Sequence, residues 1–275
     1  VDSVGIVTAR GLSIFGNTTG LRATGVSTFT SDVTVNSVAV GKGANSVATN
    51  TVLGVNALDA AVTGTNNTAV GNQALTLNTS GTENTSVGSE TLEANTTGQR
   101  NTAVGYRALE DNVTGNYNTA VGAYALPENT TGDHNTALGR NALRYNTTAD
   151  QNTAVGALAL DGTTTGGSNV AVGYYALKAN TTGTGNVAVG VNVLDANTTE
   201  NYGTGVGFNV LTANTSGTNP TAVGAYALNA NTTGDYNTAC GYSALELNTT
   251  GAQNTAVGYK SLEANTTASN NTAVG

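Results

Sequence analysis

The sequence predicts an all-β chain folded as a parallel β-solenoid of seventeen-residue repeats. A glycine recurs at 54, 71, 88, 105, 122, 139, 156, 173, 190, 207, 224, 241, 258 and 275, each interval being seventeen residues without insertion or deletion. So strict a spacing marks a unit that stacks side chain on side chain with the next, because one extra residue would break every ladder. A leucine stands four residues after each glycine, from Leu58 and Leu75 to Leu245 and Leu262, at all thirteen available positions. The unit is too short for the helix pair of a helical repeat and long enough for a coil of short strands and turns.

Each column of the repeat then has an expected place. The residue before the glycine is Val70, Val87, Val104 or Val121, with Leu138 and Cys240 as substitutes, and this column is expected to share the core with the leucines. Burying one Val or Leu contributes roughly 1.5–3 kcal/mol. Two residues before the glycine stands alanine, as in Ala103, Ala120 and Ala188, with Ser86 and Gly205 as exceptions. A column held so small predicts a second backbone packed against it. The other corner reads Asn-Thr-Thr-Gly, as at 95–98, 129–132 and 231–234, where Asn and Gly are expected to supply positive φ and Thr hydroxyls to satisfy local backbone groups.

In chain order, residues 1–35 lie outside the repeat and form a non-repeat β segment, with Val4 to Arg10, Leu12 to Gly16 and Gly25 to Val35 rich in β-branched residues around a Gly16-Asn-Thr-Thr-Gly20 turn. Residues 36–49 are short repeats of a different style, and 50–275 are the array of thirteen units. Composition agrees with a solenoid and is abnormal for an enzyme: 36 Gly, 2 Pro, no Met, no Trp and 9% charged residues. With no methionine and a last unit that stops halfway, the chain reads as an excerpt of a longer polypeptide. A net charge of −8 speaks against a nucleic-acid partner, which needs clustered Lys and Arg. No apolar run reaches membrane-spanning length, so this segment is not expected to insert in a membrane.

Asn36-Ser-Val-Ala-Val-Gly41 resembles the head-repeat motif of trimeric autotransporter adhesins, and Asn169-Val-Ala-Val-Gly173 and Asn186-Val-Ala-Val-Gly190 match it inside the array. The longer unit with its Asn-Thr-Thr-Gly turn is similar to repeats of bacteriophage tail-fibre and structural proteins. The Gly5-Ile-Val-Thr-Ala9 and Gly25-Val-Ser-Thr-Phe-Thr30 phrases resemble marine phage fibre segments. These resemblances imply a left-handed β-roll assembled as a homotrimer, in a virion tail fibre that attaches to a host. The adhesin likeness implies instead a bacterial surface adhesin or extracellular filament.

Catalytic chemistry is expected to be absent. His134 occupies a variable column where other units place Arg100, Tyr117 or Gln151, and reads as a surface residue. Cys240 sits in the valine column and reads as a small buried hydrophobe, with no second thiol or neighbouring His to make a metal site or nucleophile. Gly183-Thr-Gly185 falls on a turn with no helix to hold a phosphate, so no cofactor is expected. Asp59, Glu93, Glu110, Asp161, Asp195, Glu246 and Glu263 share the column after the leucine, neighbours standing about 4.8 Å apart. There Asp161, Lys178 and Asp195 are expected to alternate, Glu93 to repel Glu110 and Glu246 to repel Glu263, with weak divalent-ion binding as the sharper reading of the like-charged pairs. Eleven of the thirteen Asn-Thr-Thr turns also match the glycosylation sequon, which turn chemistry alone accounts for.

Tyrosine is the informative side chain. Tyr106, Tyr124, Tyr174, Tyr175, Tyr226, Tyr242 and Tyr259 lie one or two residues past the glycine, in variable columns that also accept Asn, Ser, Arg and Lys. They are the candidate contacts for a host glycan or protein, or for a neighbouring chain. The expected function is therefore a structural or adhesive fibre. An ice-binding solenoid is the minor alternative, from the Thr102, Thr119, Thr136 and Thr153 ladder that Val170 and Val187 interrupt. A polysaccharide-degrading solenoid needs paired carboxylates flanking a groove, where this sequence has a regular acidic stack.

Overall fold

A computed structural model describes residues 32–275. Sixteen strands form one sheet in which neighbours in sequence are neighbours in space. β1 (Val33–Val35) and β2 (Val38–Gly41) precede β3 (Thr51–Gly54), and from β4 (Thr68–Val70) to β16 (Thr272–Val274) each strand is three residues long. Pairing from β3 onward is parallel and in register, Thr68 against Thr85 and Ala103 against Ala120, so each coil is one repeat. This is the β-solenoid that the spacing predicted.

The parallel array does not begin at residue 36. β1 pairs antiparallel with β2, and β2 antiparallel with β3. Asn36 and Ser37 between β1 and β2 both have positive φ, 48° and 69°, the requirement of a two-residue type I′ turn that closes a hairpin. The motif that matches parallel coils elsewhere is turned into a hairpin by this dipeptide. The Asp32 carboxylate accepts from the N–H of Lys42 and of Gly43 at 2.6 and 2.7 Å and ties the hairpin to the chain that follows. Of the expected β segment 1–35, residues 1–31 lie outside the described residues, and Val33–Val35 is β1.

Inside the coil the assignment of columns changes. The leucines are buried as expected: Leu58, Leu109 and Leu143 have 0% exposure. The valine column is not core. Val104 is 37% exposed, Leu138 47% and Val257 38%, and Cys240 is exposed with them. The physical reason is the pleat. In Thr-Ala-Val only one parity can face inward, and the alanine takes it, leaving Thr and Val together on the outer face. The close neighbour that the alanines call for is the chain's own opposite wall, formed by a second alanine column (Ala74, Ala108, Ala125) and the leucines.

That second alanine and the leucine are consecutive, yet both face inward, which a strand cannot do. The leucine solves this by turning left-handed, all thirteen having φ between 49° and 55°. Such a conformation costs a non-glycine residue roughly 1–2 kcal/mol. Burial of the leucine offsets it, and so does an axial hydrogen bond: Leu75 N–H donates to the Thr91 carbonyl of the next coil at 3.0 Å. Two further columns are left-handed for the same end. Gln73 N–H reaches the Val55 carbonyl and Glu83 N–H the Thr65 carbonyl of the preceding coil, at 2.9 and 3.0 Å.

The rest of the interior is asparagine. The Asn of Asn-Thr-Thr-Gly was expected at a positive-φ turn; instead Asn95, Asn112 and Asn129 keep φ out of the left-handed region and have 0% exposure. Each side-chain amide donates to the Oδ1 of the Asn one coil earlier, Asn95 to Asn78 at 2.8 Å and Asn129 to Asn112 at 2.9 Å. The glycine three residues on is required by space: a Cβ on Gly98 meets Asn95 Oδ1 at 2.4 Å and the Gly115 carbonyl at 2.5 Å. The Asn that opens Asn-Thr-Ala-Val-Gly forms a second ladder. Asn101 Nδ2 donates to the Gly115 carbonyl across the coil at 2.8 Å, and its Oδ1 accepts from Asn118 N–H in the next at 2.9 Å. Buried polar groups need such partners, and a coil too thin for a wide apolar core fills itself with amides that satisfy one another.

The exceptions come in matched sets. Where Ser86 replaces alanine, Thr91 replaces the alanine it faces, and Ser86 Oγ donates to the Thr91 carbonyl at 2.9 Å. Where the second ladder loses its side chain at Gly203, the next residue in the column is Pro220, which has no N–H in need of an acceptor.

Candidate functional site

The variable side chains collect on the wall that follows each glycine. The structure places all seven candidate tyrosines there. Tyr106 and Tyr124 meet edge to face with ring centroids 5.3 Å apart, and Tyr174 and Tyr175 stack at 3.9 Å. Phe208, Tyr226, Tyr242 and Tyr259 form one run with successive centroids 5.7, 5.9 and 5.6 Å apart. Phe208 belongs to this run and was missed by an inventory of tyrosines, although it stands in the same column, one residue past Gly207. Tyr175 and Tyr226 are half-buried by their neighbours, while the other five are exposed.

Charged residues are interleaved with the rings. Arg107 lies over the Tyr106 ring, its Cζ 5.3 Å from the centroid, and its Nε is 2.5 Å from Glu90 and 3.6 Å from Glu110. Glu93 accepts from Gln73 Nε2 at 2.9 Å. Arg107 and Gln73 thus answer the expected repulsion between Glu93 and Glu110. Glu90, Glu93 and Glu110 bring carboxylate oxygens within 4.8 Å of one another, a group able in size to hold a cation, but Arg107 already supplies positive charge there. Lys260 pairs with Glu263 at 2.7 Å. The expected alternation of Asp161, Lys178 and Asp195 does not become ion pairs, because Lys178 Nζ sits 4.2 Å over the Tyr175 ring. Asp161 and Asp195 are each left with a buried Oδ1 lacking a hydrogen-bond partner, and burial pushes both carboxyls above the usual range.

The ladder of axial bonds opens twice on this wall, at Ala196 and, beside a proline, at Glu128. Asp111 N–H donates to the Pro127 carbonyl and Tyr145 N–H to the Asp161 carbonyl, at 2.8 and 3.1 Å, whereas the bond from Glu128 N–H to Arg144 that the pattern demands is not made. A cleft of about 480 Å³ lies there, with Arg107, Tyr124, Pro127, Glu128, Arg140 and Arg144 in its lining. Burial raises the Glu128 and Glu110 carboxyls, the nearby guanidiniums opposing it.

His134 is exposed, as its variable column implied, and stacks on Tyr117 with centroids 4.8 Å apart. Tyr117 in turn lies under Arg100, which pairs with Glu83 at 2.8 Å. The sequon asparagines Asn95, Asn112 and Asn129 are sealed inside, their amide nitrogens committed to the ladder, so the folded coil cannot present them for glycosylation.

Compared with models of known protein families, with curated proteins and with solved structures, the chain matches none. The fold and its side-chain ladders define a β-solenoid repeat protein, whose variable wall is aromatic and charged and whose strand face is a stripe mostly of Thr and Val. No helix among the described residues is long and apolar enough to cross a membrane.

Proposed function

We propose that this chain is part of a homotrimeric structural and adhesive fibre, in a phage tail fibre that carries a virion to its host. A β-solenoid of this kind suits a fibrous role. The observation that carries the reading is the outer strand face, where Thr and Val columns repeat in register and Val87, Val104, Leu138, Val223 and Val257 are 36–47% exposed. Thirteen intervals of about 4.8 Å by a strand of about 10 Å give roughly 600 Å², the same order as the roughly 800 Å² per partner of a stable interface. A second and a third copy cover such a stripe without changing its chemistry along its length. Trimerisation also multiplies weak surface contacts, and avidity exceeds a single site's affinity by roughly 10²–10⁴ where geometry permits.

The reading is non-enzymatic: the variable wall presents runs of packed rings and paired charges, which is the chemistry of contact. Its test is the mass in solution. Three chains per particle support it, and a stable monomer at micromolar concentration overturns the oligomer. Antibody labelling separates the settings, since decoration of purified virions supports the tail fibre and decoration of bacterial cells supports the surface adhesin instead.

A further inference from the structure

We propose that the cleft beside Pro127 binds a saccharide bearing a carboxylate, such as a uronate-containing oligosaccharide. Four of the nine basic residues of a chain with net charge −8, Arg100, Arg107, Arg140 and Arg144, fall within residues 100–144, and three of them line this cleft. Its volume is in the range of small-ligand sites, roughly 300–1,000 Å³. Within its lining the axial ladder skips the bond at Glu128, next to the proline that replaces the usual acidic or polar residue.

The guanidiniums are not equivalent. Arg107 is engaged by Glu90 and Glu110, whereas among the described residues neither Arg140 nor Arg144 has a carboxylate oxygen within 4.0 Å. Arg144 is held flat, its Cζ 4.4 Å from the Tyr145 ring centroid and a terminal nitrogen donating to the Tyr145 hydroxyl. Arg140 is exposed at the rim. A planar guanidinium with free donors is suited to a carboxylate, which it can grip with two parallel hydrogen bonds.

The carboxylates of Glu110, Asp111 and Glu128 in the same lining decide the rest of the ligand. They repel a ligand that offers negative charge without hydroxyls, as a run of acidic side chains does, and they accept from hydroxyls. A ligand with one carboxylate to each polyhydroxylated ring meets both signs of the lining, and Tyr124, backed by Tyr106, offers an aromatic surface for the apolar face of a sugar ring. The cleft spans three coils, about 10 Å along the axis, so it takes a short segment of a chain. It lies on the wall after the glycine, apart from the Thr/Val strand face, so oligomerisation and ligand binding do not compete.

The assignment deepens the adhesive half of the reading above and rests on it for its biological setting, but the two fail separately, one in a mass and the other in an isotherm. The test is calorimetric titration of the full chain with trigalacturonate, with neutral galactotriose and with a glutamate tripeptide. Trigalacturonate is expected to bind, and galactotriose and the peptide to bind more weakly by about tenfold or more, the worth of one charge-assisted contact. Arg140→Ala and Arg144→Ala are each expected to lose about tenfold, while Arg100→Ala, outside the cleft, is expected to bind as before. Circular dichroism checks that the coil persists, and Arg140→Lys at its exposed position covers the case in which Arg144→Ala unfolds, being expected to bind more weakly because Lys keeps the charge but loses the two-donor grip. No binding of trigalacturonate, equal binding of galactotriose or the peptide, or unchanged binding by Arg140→Ala overturns the proposal.

Discussion

Gly205 faces Val193 so closely that a Cβ built on the glycine comes within 2.5 Å of Val193 Cγ1, with Val210 Cγ1 at 3.4 Å on its other side. In most other coils this strand position is alanine and the position it faces is alanine too, as in Ala103 and Ala108. Volume is conserved across the coil: two valines enter one wall and the other wall gives up its methyl. Gly205→Ala is therefore expected to destabilise by about 1–3 kcal/mol through overpacking. Val193→Ala in the same chain should recover much of that loss, a coupling that a double-mutant cycle in denaturant measures. Additive effects of the two substitutions would show that the contact is not strained.

Thr163 interrupts the first asparagine ladder and leaves two orphans, Asn146 Oδ1 without its donor and Thr163 Oγ1 without a partner. Thr163→Asn supplies an amide at the position where Asn129 and Asn180 already stand. It is expected to stabilise by about 1 kcal/mol, read as an upward shift in denaturation midpoint at unchanged slope.

Leu138 and Leu143 are five residues apart, one 47% exposed and the other 0%. Leu143→Asp places an unpaired charge in a dry interior and should abolish the fold. Leu138→Asp should leave the coil folded by circular dichroism but shift the mass toward monomer, because it charges the strand face proposed to meet other chains. If Leu138→Asp unfolds the protein, the outward placement of that column is wrong; if it leaves the oligomer intact, the chains meet elsewhere.

The carboxyls of Glu110, Glu128, Asp161, Asp195 and Glu200 are all raised, burial being the largest cause in each. A folded-state value above the unfolded one means that the folded chain binds more protons between the two. Stability is then greatest below the unfolded values near 4 and falls as pH rises through the raised folded values. The melting temperature is expected to be higher at about pH 4.5 than at about pH 7.5, and Asp161→Asn with Asp195→Asn should flatten the profile. A melting temperature that rises with pH would contradict this.

The solenoid and its leucine column were legible because they depend on spacing and on the largest apolar side chain, both of which a single sequence displays. The inward parity of the strand was not, because Thr-Ala-Val offers a large and a small apolar residue and size alone favours the wrong one. What settles it is the opposite wall: Ala108-Leu109 already places a methyl and an isobutyl group inside, and the inward strand position is filled by a methyl in all but a few coils, the first coil with Val52 being the one that takes a valine. The asparagines misled for a related reason, since Asn and Gly together are usual turn chemistry, and only stacking in register converts the amide into an internal rung. The pairing of exceptions, Ser86 with Thr91 and Gly203 with Pro220, stood in the sequence as a signal of mutual contact. The cleft was not legible, because it depends on how the side chains of three successive coils, Arg107, Tyr124 and Arg144 among them, come to stand around Pro127.

The axial direction of the rungs has a mechanical consequence. Because the backbone bonds between coils run along the rod, tension applied at its ends loads them in series rather than in shear. One coil peels before its neighbour does. Each release frees seventeen residues, whose extended length at about 3.4 Å per residue exceeds the roughly 4.8 Å that the coil occupied by some 50 Å. A rod of this build, pulled in an optical trap, should lengthen in equal steps of about that size, and a fibre containing it can give ground under drag by surrendering coils one at a time and rewinding them when the load drops.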